Sequence, residues 1–152
     1  MRVYLPVTLD ELQHGSPVLL TPRVAHAVTP QLRATWPDED EEGWEYAAQA
    51  GAADDSLVRV AGSPDAPPLR VVVAADVPDA AVRALSDPPV PSAVELTAAV
   101  DLAAVVSVHV DEPEAAADVR AVVDGDEAAI ERLEERDLLW YDVSEVADIP
   151  SV

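Results

Sequence analysis

The chain has 152 residues, 49% of them hydrophobic, no cysteine, and 30 acidic against 9 basic residues, for a net charge of −21. That length and apolar content suit one folded domain with a real core and exclude a disordered acidic tail. The charge argues against phosphate backbones and anionic membranes, and the missing cysteines exclude disulfides, thiolate metal sites and a cysteine nucleophile.

All nine basic residues are Arg, and Lys, Asn and Phe are absent. Codon bias in a GC-rich genome accounts for all three absences. Halophilic adaptation, which also replaces Lys by acid, accounts for fewer of them. The apolar residues are mostly Ala, Val and Leu, so a few large anchors are expected in the core: Trp36, Trp44, Trp140, Tyr4, Tyr46 and Tyr141. No secretion signal precedes the first apolar residues, and no apolar run approaches the ~20 residues of a membrane span. A soluble cytoplasmic protein is the expectation.

Residues 2–7 read as a first strand with Val3 and Leu5 on one face; Pro6 suggests a strand end or an edge. Thr8 and Glu11 match a capping box opening a short helix, with Leu9 and Leu12 inward and Gly15 placed to end it. Residues 17–28 are ambiguous, with Val18-Leu19-Leu20 a short strand or an extended connection. Thr29 and Pro30 are N-cap and first residue of another helix, which Pro37 ends. The five carboxylates of residues 38–42 read as a solvated lead into a helix, or as a cation or docking site. Trp44, Ala47, Ala48, Gly51 and Ala52 then form one apolar helix face, reaching to Val58 or Ala61. Gly62-Ser63-Pro64-Asp65 turns the chain.

The stretch Leu69-Arg70-Val71-Val72-Val73-Ala74-Ala75-Asp76-Val77 is the organising element. Its unalternating valines predict a central strand covered on both faces. Asp79 caps a short helix through Leu85, and a Pro-rich connection follows at residues 87–91. Residues 94–100 and 106–110 alternate as strands around a tight turn or one helical turn at 101–104. Pro113 opens a helix closed by Gly125, Asp126 caps a second through Arg136, and residues 138–143 are the last strand. The predicted architecture is α+β (or α/β): one domain over residues 1–152, a mixed sheet of four or five strands with helices packed on it.

Met1-Arg2-Val3-Tyr4-Leu5-Pro6, Ala27-Val28-Thr29-Pro30, Glu45-Tyr46-Ala47-Ala48, the strand from Val71 to Pro78, His109-Val110-Asp111 and Leu139-Trp140-Tyr141-Asp142 together resemble a family of small actinobacterial proteins of unknown function. The resemblance spans most of the chain and implies an actinobacterial source and one domain. It implies no activity and no catalytic residue.

The chemistry narrows by exclusion. There is no Lys for a phosphate-binding loop, no Gly-x-Gly-x-x-Gly and no Gly-x-Ser-x-Gly. Only His14, His26 and His109 offer an imidazole base. The best polar set is His109 with Asp111 and Glu112, which Asp76 and Asp142 join if their strand ends converge. His109 and Asp111 are the candidate catalytic pair. All five are candidate ligands of a divalent cation, otherwise no cofactor is expected. A cation there would activate water for hydrolysis of an ester or phosphoester. The plainer alternative is an exposed strand face with a helix cap. Trp140 and Tyr141 read as core on opposite faces. Three functions follow: a non-enzymatic binding or regulatory protein with a basic protein partner, which leads; a metal-dependent hydrolase; and a nucleic-acid mimic that occupies a basic protein.

Overall fold

The computed structural model describes residues 1–13 and 17–152. The readings of His14 as a base and Gly15 as a helix terminator lie outside the described residues.

Among the described residues, nine strands and five α-helices follow in the order β1 (Arg2–Val7), α1 (Leu9–Gln13), β2 (Leu19–Leu20), β3 (Arg23–His26), α2 (Pro30–Thr35), α3 (Glu41–Ala61), β4 (Val71–Asp76), β5 (Val82–Ala84), β6 (Ala93–Leu96), β7 (Val100–Asp101), β8 (Val105–Val110), α4 (Ala116–Val123), α5 (Glu127–Glu134) and β9 (Leu139–Asp142). Seven strands form one sheet in the order β5-β6-β3-β1-β4-β8-β9, and β2 pairs with β7 in a small ribbon. Every pairing is antiparallel. The sheet is therefore larger than the four or five strands expected and not mixed, while the α+β class holds.

The valine run behaves as its composition demands. Val71, Val73 and Ala75 face the larger core with Val3, Leu5, Val7, Val108 and Val110. Val72 and Ala74 face the other side, with Tyr4 and the α3 residues Ala48, Ala52 and Ala53. The large core is closed by Leu9 and Leu12 of α1, Leu20, Val100, and Val146 and Ile149 from the C-terminal end. A third cluster joins the end of α3 to α4 and α5 through Val60, Ala115, Val119 and Leu133.

The middle strand of the seven is β1, not β4, and Pro6 sits inside it opposite Val72. A residue's N–H and C=O point the same way in a strand. The Pro6 carbonyl accepts Nη1 of Arg23 at 2.8 Å, so its missing donor faces the side where Arg23 caps the strand. That makes Pro6 tolerable away from any edge. The ambiguous stretch supplies β3, whose Ala25 and His26 are buried. The helix expected after Asp79 is a single turn, Asp79–Ala81, followed by strand β5. The strand expected over residues 94–100 splits into β6 and β7.

Helix starts follow their caps. Thr29 Oγ1 accepts the Leu32 N–H, Asp40 caps α3 by accepting from Gly43 N–H, and Asp126 accepts from Ala128 N–H. Three of the five acids of the run, Asp40, Glu41 and Glu42, are thus the cap and first turn of α3. Gly125 takes φ 97° between α4 and α5, a conformation that favours glycine. Among the described residues no helix is long and apolar enough to cross a membrane.

Small residues let α3 lie close on the sheet. Ser56 is fully buried beneath it, donating to the Val7 carbonyl at 2.7 Å and accepting from Val71 N–H at 2.9 Å, so one hydroxyl clasps β1 to β4. A Cβ on Gly51 would lie 2.6 Å from Nδ1 of His26. Gly51→Ala is expected to destabilise by about 1–3 kcal/mol, read as a lower urea midpoint at constant slope. An unchanged midpoint would show that the buried imidazole can step aside.

Candidate functional site

A seven-stranded sheet is about 29 Å wide at its usual strand spacing, while a helix with its side chains covers about 10–12 Å. Helix α3 packs on β1, β3 and β4. The same face of β8 and β9 carries Ser107, His109, Trp140 and Asp142, fixed there by the pairs Ala74 with Ser107, Val72 with His109, His109 with Trp140 and Ser107 with Asp142. The step from helix to uncovered sheet makes two clefts that share Tyr46 and Gln49. One, of about 290 Å³, is lined by Arg2, Tyr4, Glu42, Glu45, Ser107 and His109 among others. The other, of about 490 Å³, is lined by Asp54, Arg70, Glu134, Arg136, Asp137 and Leu138 among others.

The five candidate ligands do not gather into one site among the described residues. Asp111 is buried, and its carboxylate takes Arg70 in a two-pronged pair at 2.9 and 2.8 Å, plus the Arg70 backbone N–H at 2.9 Å. Glu112 pairs with Arg136. Asp76 lies at the opposite end of β4, holding Arg2 at 2.7 and 3.1 Å. That contact, with burial a smaller opposing effect, keeps its carboxyl below the usual aspartate range. Asp142 accepts from the hydroxyl and N–H of Ser144 and caps the C-terminal turn. His109 is half-buried, and its Nε2 is 3.0 Å from Ser107 Oγ. Among the described residues no three His, Asp or Glu side chains stand close enough to share a metal ion. Strand parity put His109 and Asp111 on one face; Asp111 lies beyond the end of β8, where parity no longer governs.

A serine–histidine–carboxylate set does occur elsewhere. His26 lies 2.7 Å from Ser92 Oγ through Nδ1 and 2.6 Å from Asp55 through Nε2. Ser92 is only 3% exposed and His26 1%, so no substrate reaches the hydroxyl. The set ties the β6 approach and β3 to α3.

The aromatic residues overturn an expectation. Of the six proposed core anchors, Tyr4 alone is fully buried, at 6% exposure. Trp36, Tyr46 and Trp140 are 49%, 64% and 60% exposed, while Tyr141 packs against the large core. Trp44 is half-buried, and Arg33 stacks over its ring at 4.5 Å. A core of valine and alanine has filled without them. Tyr46 and Trp140 instead flank the uncovered sheet. Their helical and strand spacing carried no mark of this, because sheet width and helix placement decide it. The spacing of Glu42, Glu45, Tyr46 and Gln49, one face of a helix, was the available signal.

The electrostatics of the clefts are lopsided. Their three arginines are already engaged: Arg2 with Asp76, Arg70 with Asp111, Arg136 with Glu112 and Asp118. Glu42, Glu45, Asp54, Glu134 and Asp137 form no ion pair among the described residues. Loss of water around its carboxyl pushes Asp54 above the ordinary aspartate range, with Arg70 opposing and Asp55 and Glu134 adding to it.

These features run along one chain-long pattern. The chain belongs to a family of unknown function, DUF6912, whose model matches residues 1–149. No curated protein and no solved structure matches it. The family match carries no activity.

Two tests follow. Arg70→Met strands the Asp111 carboxylate and is expected to cost about 3–5 kcal/mol, whereas Arg70→Met with Asp111→Leu recovers much of it. A double variant as unstable as the single in urea melts would show that the guanidinium's contacts to Leu133 and Arg136 carbonyls matter more. For His109, burial holds the pKa below the ordinary 6.5. The unfolded chain then takes up the proton first. Stability from neutral His109 is full above 6.5 and declines as pH falls through the lower folded value. An NMR titration midpoint below 6.5 is expected, and His109→Gln should flatten that part of the pH–stability curve. A midpoint at or above 6.5 would mean the ring is solvated.

Proposed function

We propose that this protein is a non-enzymatic binding module that holds an extended, basic segment of a partner protein in the groove between α3 and the β8–β9 face. The observation that carries the reading is the exposed Tyr46 between two clefts whose carboxylates Glu42, Glu45, Asp54, Glu134 and Asp137 form no ion pair among the described residues, with the exposed Trp140 beside His109 on the neighbouring β8–β9 face. Aromatic side chains supply contact area at low entropic cost, and Arg and Lys stems pack well on them. The carboxylates add steering: on-rates rise with complementary charge and fall with salt.

The hydrolase reading has no gathered set of donors to start from, since Asp76, Asp111, Glu112 and Asp142 already satisfy groups of the chain. Nucleic-acid mimicry needs acids spaced like phosphates across a face, and here the acids border a cleft with aromatics in it.

The test is anisotropy of a labelled twelve-residue peptide with alternating Arg or Lys, against an acidic peptide of equal length, from 20 to 300 mM salt. Binding of the basic peptide alone is expected, weakening steeply with salt. Glu134→Gln with Asp137→Asn should weaken it severalfold, and Trp140→Ala should weaken it even at high salt. Equal binding by the unaltered and altered chains would mean that the groove is not the site and that only diffuse charge is acting.

A further inference from the structure

Arg70 stands in the apolar run just ahead of β4, so its guanidinium is buried by position: the side chain is only 8% exposed. Its partners leave one nitrogen over. Nε and Nη2 hold Asp111, and Nη2 also reaches the carbonyls of Leu133 and Arg136. Nη1 makes no hydrogen bond among the described residues, and it is not sealed within the protein. Arg70 lines the larger cleft, and Nη1 is the part of it left to that cleft. A buried guanidinium with a donor left open toward a cleft points to an acceptor arriving from there.

Arg136 repeats the pattern beside it. Its Nη1 pairs with Glu112 and its Nε with Asp118, while Nη2 has no partner among the described residues. Arg136 lines the same cleft, and its carbonyl already accepts from Arg70. Two guanidinium groups with nitrogens to spare suit a carboxylate, whose two oxygens accept charge-assisted hydrogen bonds.

The rest of the cleft has the opposite sign. Asp54, Glu134 and Asp137 line it without an ion pair among the described residues. Both arginines are neutralised by their own partners, so these three acids leave the cleft net negative. A simple anion would be repelled there. The ligand that fits carries one carboxylate and a cation close to it. Loss of water, with Asp55 and Glu134 adding to it and Arg70 opposing, already pushes the Asp54 carboxyl up, and a cation beside it offsets that repulsion. Ala53 and Leu138 offer an apolar wall to the stem of a long basic side chain.

We propose that the larger cleft takes a basic residue with a free α-carboxylate, the C-terminal residue of the bound segment. This rests on the binding reading above and names the end of the segment that docks. The carboxylate accepts from Arg70 Nη1 and Arg136 Nη2. The side-chain cation lies among Asp54, Glu134 and Asp137. Capture of a chain end also fixes the direction in which the segment runs.

The experiment uses two twelve-residue basic peptides that end in arginine, one with a free C-terminal carboxylate and one amidated. Free L-arginine is the third ligand. Each is titrated into the intact 15N-labelled protein, with peptide affinity from anisotropy and arginine affinity from competition. Charge alone predicts that the amide binds tighter, because the free acid brings a negative charge to a chain of net charge −21. The reverse is expected here: the free acid binds about tenfold tighter than the amide. It should also shift the side-chain resonances of Arg70, which the amide leaves in place. Arg136→Gln should erase the preference, while Glu45→Gln in the smaller cleft weakens both peptides alike. If the Arg136 variant does not fold, the Arg70 resonances of the unaltered protein decide. Equal affinities, or tighter binding of the amide, overturn the carboxylate subsite and leave the groove reading standing. A preference for the acid that moves no Arg70 resonance overturns it too. Free arginine as tight as the acid peptide would overturn the segment's end as the occupant and make the cleft a small-molecule site. If neither peptide binds at any salt, both readings fall.

Discussion

The pair of Arg70 and Asp111 is the contact on which the arrangement of the uncovered face depends. Arg70 stands just ahead of β4 and Asp111 just beyond β8, and each backbone N–H of the two is bonded across the same junction. The guanidinium also reaches the carbonyls of Leu133 and Arg136 at the end of α5. One buried cation thus fixes two strand ends and the exit of a helix. The exit of α5 sets where Leu138 begins and so where β9 lies against β8. A buried ion pair is weak evidence of net stability, because desolvation offsets its attraction. Here its effect is geometric: three segments of the chain must meet at one fork of donors, and few other arrangements satisfy all of them.

The groove follows from a mismatch of dimensions. The core is built from valine, alanine and leucine, which bury modest area each but allow close approach. Ala48, Ala52 and Ala53 set α3 low over β1 and β4, so the helix covers the centre and little else. The α4–α5 pair is spent on the far end of α3 through Val60, Val119 and Leu133. Among the described residues nothing covers Trp140, and His109 is left half-buried at the edge of the cover, while Ser107 behind it is buried. A larger α3 face would have stood higher and filled the step; a small one leaves it open, with Tyr46 on its rim.

Much of the fold was legible in the residues, and the reasons are local. The valine run, the caps at Thr29, Asp40 and Asp126, and the turn at Gly125 are signals carried within a few positions. The core strand β3 was not legible, because Arg23-Val24-Ala25-His26 buries an arginine and a histidine whose partners, Glu11, Asp55 and Ser92, are distant in sequence. Pro6 read as an edge for a similar reason: its tolerance depends on Arg23. The site fared worse. Alternation rightly put His109 on a polar face, but the assignment of its neighbours as ligands ignored that Asp76, Asp111 and Glu112 would be taken by Arg2, Arg70 and Arg136. The aromatics were misplaced because size alone suggests burial, while exposure is set by how wide the sheet is relative to its cover.

The same accounting of arginines gives the acid excess its meaning. Among the described residues, eight of the nine arginines form ion pairs: Arg2, Arg23, Arg33, Arg59, Arg70, Arg83, Arg132 and Arg136. Their work is internal, and a phosphate chain would find few cations to meet it. The carboxylates far outnumber them, so most of the negative charge has no counterpart in the fold and acts on whatever approaches. Surface repulsion of that size destabilises the compact state, and it is relieved only by counterions or by a cationic partner. Diffuse charge alone would attract any base with little discrimination. Exposed rings such as Tyr46 and Trp140 respond to the shape of a cation as well as its sign, which is the ground of the binding reading proposed above.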